Sequence, residues 1–154
     1  MANRNGVPTC SACGRSGSII ATGLCPKCQF EKHGLGTDNR GRPYRNFEIV
    51  LNKSGIFTCT FCAEVPANRV LVSGADGTDA FLCTMCAGKL NRKGLNRHPR
   101  PFDAQASCSF CGSTDEVFSG PDLIGARLDS SICLLCLTSC NVHFFNFREG
   151  VYDH

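Results

Sequence analysis

The sequence predicts a small α+β protein built as a tandem array of metal-stapled units, one short ribbon followed by two treble clefs. Three observations lead there. Twelve of the thirteen cysteines among 154 residues fall into six Cys-x-x-Cys pairs: Cys10/Cys13, Cys25/Cys28, Cys59/Cys62, Cys83/Cys86, Cys108/Cys111 and Cys133/Cys136. Alternate pairs begin at residues 10, 59 and 108, a spacing of 49 each time, which marks an internal repeat. Finally, units of ~50 residues bury too little apolar surface to be stable without a staple.

The spacing selects the staple. Two thiolates two residues apart reach one tetrahedral ion through a tight knuckle, and two such pairs close a four-ligand structural site of the zinc type. Three zinc ions are therefore expected, one in each zinc-stabilised unit. The first is held by Cys10, Cys13, Cys25 and Cys28, the second by Cys59, Cys62, Cys83 and Cys86, and the third by Cys108, Cys111, Cys133 and Cys136. Disulfides would suit a secreted chain. Against them, the opening residues Met1 to Gly6 lack the apolar stretch of a signal peptide. A disulfide framework also seldom keeps one spacing in every pair, and an odd cysteine would be left over. An iron–sulfur cluster is the less favoured metal, because the pairs repeat as three equivalent sites. A reducing, cytoplasmic setting is expected, and no run approaches the ~20 apolar residues of a membrane span. A structural zinc contributes ~10–16 kcal/mol, so each unit is expected to be unfolded or molten without it.

Taken in order, residues 1–35 are the short zinc ribbon. Eleven residues separate its pairs, with room for one hairpin, and Gln29 to His33 form one or two helical turns ended by Gly34. Residues 36–54 are a basic linker. Residues 55–92 hold the first treble clef, with twenty residues between the pairs, a hairpin pattern over Val70 to Gly77, and a helix through Ala87 to Leu90. Residues 93–106 form a second linker. Residues 107–154 hold the second treble clef, with twenty-one residues between the pairs, a similar hairpin pattern over Val117 to Asp122, and a helix through Leu137 to Cys140.

Residues Cys108-Ser109-Phe110-Cys111-Gly112, Ser119-Gly120-Pro121 and Ile132-Cys133-Leu134-Leu135-Cys136, with Cys140-Asn141 beyond, carry a family resemblance. This stretch resembles the N-terminal four-cysteine zinc-binding domain of the protein-unfolding ATPase ClpX, and residues 55–92 resemble it more loosely. The resemblance implies ligand roles for Cys108, Cys111, Cys133 and Cys136, and a non-ligand place on the helix for Cys140. It also implies dimerisation or capture of adaptor and substrate proteins, and a bacterial or bacteriophage source. The family's ATPase domain has no counterpart here. No Gly-x-x-x-x-Gly-Lys-Ser/Thr loop occurs, so neither nucleotide binding nor ATP-driven unfolding is expected. The Gly23-Leu24-Cys25 segment resembles small zinc loops found beside phage and homing endonuclease cores.

Charge is distributed unevenly. Residues 1–53 carry eight Lys/Arg against three acids, 54–106 six against four, and 107–154 two against six. Zinc with four thiolates adds two negative charges per site, leaving the three segments at +3, 0 and −6. DNA or RNA binding, if present, is expected in the N-terminal half. Candidates are Arg40, Arg42 and Arg45, where Arg40-Gly41-Arg42-Pro43 resembles an AT-hook core, and the cluster Lys89, Arg92, Lys93, Arg97 and Arg100. A solvated basic turn and a solubilising linker are the competing readings of these two clusters.

Phe61 and Phe110, inside the knuckles, are expected to shield zinc and fill the small cores, with Cys140 as a small buried hydrophobe. Val142, Phe144, Phe145 and Phe147 form an apolar tail after a Leu-rich helix. Together with Leu135, these residues are the expected protein-interaction surface. The four histidines share no ligand spacing, and no hydrolase or metalloprotease motif occurs, so no enzyme is expected. The expected function is that of a zinc-binding regulator or adaptor acting through a protein partner or self-association. The alternative is a nucleic-acid-associated regulator.

Overall fold

The computed structural model describes residues 9–14, 19, 23–53, 57–63, 70–74 and 80–152. Most of the hairpin expected between Cys13 and Cys25, and the tip expected at residues 75–77, lie outside them. The chain divides into two compact units, residues 1–43 with 145–154, and residues 44–144.

In the first unit, helix α1 (Pro26–His33) starts where Cys25 caps it, accepting a hydrogen bond from the Cys28 N–H on its sulfur. Pro26 in the first turn suits a helix start, and Gly34 at φ 69° ends it. Among the described residues Cys10, Leu24 and Cys25 form a buried apolar cluster, with Ile19 and Cys28 against them. Elsewhere in the unit Tyr152 meets Phe30 edge-on at 5.5 Å between ring centres, and Val151 is buried.

Among the described residues, the stretch 44–144 holds two antiparallel sheets. Strand β1 (Glu48–Leu51) pairs with β2 (Val70–Ser73), which pairs with β3 (Phe81–Cys83). Helix α2 (Thr84–Leu90) follows β3 directly and runs into a π-helical turn, Asn91–Leu95. Strand β4 (Val117–Ser119) pairs with β5 (Ser131–Cys133), and Phe102 bridges Phe118 on β4. The short helix α3 (Gly120–Ile124) lies between those strands, and helix α4 (Leu134–Arg148) follows β5.

The chain departs from the expected layout in three places. The pattern over Val117 to Asp122 is strand only as far as Ser119. The hydroxyl of Ser119 then caps α3 by accepting from the Asp122 N–H at 3.3 Å, Pro121 and Asp122 suit its first turn, and Gly125 at φ 64° stops it. The stretch 36–54 supplies β1, and its Phe47 is buried, 5.5 Å from the Phe110 ring centre. The stretch 93–106 supplies the buried Gly94 and the bridging Phe102. Both segments expected as linkers therefore carry core or sheet residues.

The two later cysteine sets consequently share one core, in which Phe61, Leu71, Leu82 and Leu90 from one set pack with Phe110, Phe118, Ile132 and Leu137 from the other. Two glycines make that packing close. A Cβ on Gly94 would stand 2.9 Å from the Phe118 ring, and one on Gly120 would stand 2.6 Å from Ser130 Oγ and 2.9 Å from the Phe61 ring. The side-chain amides of Asn91 and Asn141 bond each other reciprocally at 3.0 and 2.8 Å, tying the turn after α2 to α4. Among the described residues no helix is long and apolar enough to cross a membrane.

Candidate metal centres

The three cysteine quartets are built alike, down to individual hydrogen bonds. In each, the residue after the first pair turns the chain back: Gly14, Ala63 and Gly112 donate to the carbonyls of Cys10, Cys59 and Cys108 at 2.8, 3.0 and 2.8 Å. All three have positive φ, 75°, 58° and 78°, which only Ala63 must adopt with a Cβ. The second residue of each knuckle ties it to the segment entering the second pair. Ser11 donates to Gly23 O at 2.9 Å, Thr60 to Phe81 O at 2.9 Å, and Ser109 to Ser131 O at 2.8 Å. In the later two the hydroxyl accepts in return, Thr60 from the Phe81 N–H at 2.9 Å and Ser109 from the Ser131 N–H at 3.1 Å. The third cysteine opens a helix, its sulfur accepting from the fourth: Cys28 to Cys25 at 3.5 Å, Cys86 to Cys83 at 3.4 Å, and Cys136 to Cys133 at 3.4 Å. Such donors favour thiolate sulfur.

The ligand atoms of each quartet all lie within 4.8 Å of one another. Tetrahedral zinc with bonds of ~2.3 Å holds its sulfurs about 3.8 Å apart, whereas a disulfide holds them at ~2.05 Å. The sulfurs of Cys13 and Cys25 are 3.9 Å apart, those of Cys59 and Cys86 3.8 Å, those of Cys62 and Cys83 4.0 Å, and those of Cys111 and Cys133 3.7 Å. All thirteen cysteines are free thiols. The donor sets thus fit three zinc ions, one per quartet, with every coordination position filled by sulfur.

Electrostatics within the quartets points the same way. Hydrogen bonds with Cys83 and then Cys86 bring the Cys59 thiol down to about 2, and those with Cys133 and Cys136 do the same for Cys108. The cost falls on the neighbours: the hydrogen bond to Cys59 pushes Cys83 up to about 11, and that to Cys108 pushes Cys133 up to about 12. Cys86 and Cys136 are raised further by the same partners. In the first set Cys10 falls to about 6, chiefly through the Cys25 backbone hydrogen bond, while Cys28 rises. In each set, then, the thiol that is lowered stands beside at least one that is raised, so the two compete for the anion. A dication bound to all four sulfurs removes that conflict.

Cys140 is fully buried in the shared core and belongs to no quartet. Burial holds its thiol well above the ordinary range, so it remains a neutral apolar group. Phe61 and Phe110 are also buried. Leu135, expected to face a partner, is only 9 % exposed and lies in that core, and Phe144 packs against it. The two side chains stand nine positions apart on α4, about half a turn around it, and both contribute to the core from there. Val142, Phe145 and Phe147 are half-buried, with the Arg148 guanidinium 5.8 Å from the centre of the Phe145 ring.

The basic candidates differ among themselves. The Arg40-Gly41-Arg42-Pro43 segment is a closed turn rather than the extended strand of an AT-hook. Thr37 bridges Pro43, and the Asp38 carboxylate accepts from the Arg40 and Arg42 N–H groups and from Arg42 Nε at 2.8 Å. Desolvation works against the Asp38 anion, but these Arg42 and Arg40 donors outweigh it and keep its carboxyl below the usual range. The Arg45 side chain is exposed, while its N–H donates to Ser139 Oγ at 2.8 Å. Arg92, Lys93 and Arg97 are exposed, Lys89 is half-buried, and Arg100 Nε donates to Leu95 O at 3.2 Å.

Sequence reasoning missed several residues that position the later quartets. Asn52 is fully buried, donating to Phe57 O at 2.9 Å and accepting from the Phe57 N–H at 3.1 Å. His143 Nε2 stands 3.1 Å from Phe47 N and 2.9 Å from Arg45 O. Neither carries a local signal. The hydroxyls at Thr60 and Ser109 do, since each occupies the same place in its knuckle. Comparison of the chain with protein-family models, curated proteins and solved structures finds no match.

Proposed function

We propose that the protein is a non-catalytic, zinc-held recognition module that acts by binding a protein partner. The supporting observation is the closed donor set. Four sulfurs fill each site and leave no position for substrate or water, which suits metal used for architecture rather than chemistry. The order of knuckle, antiparallel strand pair and helix in the two later sets supports classing them as treble clefs, and the third set resembles the ClpX zinc-binding domain, whose own role is dimerisation and capture. A bacterial or bacteriophage regulator or adaptor follows from that resemblance.

The contact surface is better sought away from the Leu135 and Phe144 side chains. Met85 and Leu128 are 49 % and 46 % exposed. They adjoin in sequence the residues lining a 170 Å³ cleft, which include Cys86, Lys89, Ile124 and Arg127. Exposed apolar side chains beside a cleft with a few polar groups are a common contact pattern. The test is capture from nuclease-treated bacterial lysate, together with sedimentation of the purified chain, using wild type and the Met85→Ser, Leu128→Ser double variant. Loss of the captured protein or of self-association, with three zinc ions retained, supports this surface. Unchanged capture moves the surface elsewhere, and capture abolished by nuclease refutes a protein partner.

A further inference from the structure

The geometry points to a single-stranded nucleic-acid surface formed by the π-helical turn and the loop that follows it, with cations for the phosphates and one ring for a base. Residues 80–102 carry five Lys/Arg and no acidic residue, although the chain as a whole is nearly balanced. Three of the five, Arg92, Lys93 and Arg97, are exposed, and Arg100 bonds back to Leu95 O at 3.2 Å, bracing the loop.

The ring is Phe102, 39 % exposed although it is an aromatic residue in a bridged segment. Its centroid lies 4.9 Å from that of Phe118. The backbone of Gly94 abuts the same Phe118 ring so closely that a Cβ there would stand 2.9 Å from it. Gly94, in the middle of the basic turn, and Phe102 thus both border Phe118, so one buried ring links the turn to the exposed aromatic side chain. Duplex DNA offers such a ring no open base face, whereas an unpaired strand offers one at every nucleotide. Asp103 has an oxygen accepting from the Gln105 N–H at 2.8 Å, and Asp122 lies on α3, which packs beside the turn.

The experiment measures fluorescence anisotropy of labelled single-stranded DNA, single-stranded RNA and duplex DNA with the full zinc-loaded chain across a salt series. Single strands should bind more tightly than duplex, and the DNA and RNA arms identify the natural source. The Arg92→Ala, Lys93→Ala, Arg97→Ala variant should lower affinity at least tenfold and flatten the log–log salt slope by about 2, from about 0.7 per lost phosphate contact. Phe102→Leu keeps an apolar contact on Phe118 but offers no stacking face. It should weaken single-strand binding about tenfold and leave the salt slope unchanged. Zinc content and circular dichroism identify any variant that fails to fold, and Arg97→Gln, on an exposed loop, supplies a milder second test with a smaller loss. Equal or tighter duplex binding, or Phe102→Leu binding as wild type does, overturns the stacking role. No salt-sensitive binding by the wild-type chain overturns the surface altogether.

Discussion

The first quartet and the two later ones share the same backbone hydrogen bonds but rest on different foundations. Among the described residues around Cys10, Cys13, Cys25 and Cys28, Leu24 joins two ligands in the buried cluster, with Ile19 against it, and Cys13 is exposed. In residues 44–144, six of the eight ligands lie in a continuous core with buried Phe61, Phe110, Phe118 and several aliphatic side chains. Each such side chain contributes about 1.5–3 kcal/mol when buried. Among the described residues the first site thus has little buried apolar packing beside its ligands, whereas the later two share one core. Identical coordination chemistry can thus be coupled to folding in two ways.

The largest test removes ligands. Cys28→Ser should lower the zinc content by one, to two ions per chain, measured by a zinc-sensitive dye after denaturation. Cys136→Ser should lose two, because the second and third quartets stand on one core and a structural zinc contributes ~10–16 kcal/mol to it. Loss of a single ion by Cys136→Ser would mean the later sites fold independently, and the contrast would fail.

Glycine contacts sharpen the same point. Gly120→Ala places a methyl group against Ser130 and Phe61, and Gly94→Ala places one against Phe118. Each should destabilise residues 44–144 by about 1–3 kcal/mol and lower the Tm. Gly14→Ala meets no atom within 4 Å and suffers only its φ of +75°, so about 1 kcal/mol is expected, confined to the first site. A cost at Gly14 equal to that at Gly120 would show that turn strain rather than shared packing decides stability.

A pH test separates the units by titration. Burial, only partly opposed by the bond to the Arg45 carbonyl, holds His143 below its ordinary value of 6.5. Folding therefore favours the neutral ring. This stabilisation is complete above that value, declines as pH falls below it, and is lost once the folded pKa is passed. Between about pH 7.5 and 5.5, urea denaturation should show wild type losing up to about 1 kcal/mol more than His143→Gln, since thiolate protonation affects both chains alike. Equal losses would remove His143 from the account.

The smallest effect lies at Ala63, which has φ 58° where the other two knuckles have glycine. Ala63→Gly should raise the stability of residues 44–144 by about 0.5–1 kcal/mol in the same assay. A loss instead would mean that the Ala63 methyl group contributes packing that outweighs its backbone strain.

What the amino-acid sequence determined alone was local. Six pairs at one spacing name twelve ligands, exclude Cys140 and place a helix after each second pair, although α1, α2 and α4 each begin three residues earlier, inside the pair itself, where the third cysteine caps the first turn. Tertiary structure decided the rest. It placed Phe47 on Phe110, the Phe61 ring against Gly120, and Asn91 beside Asn141. It also paired Arg42 with Asp38 and buried Leu135 in the core. Burial and long-range packing depend on which surfaces meet, and neither the 49-residue period nor any Cys-x-x-Cys pair encodes that meeting.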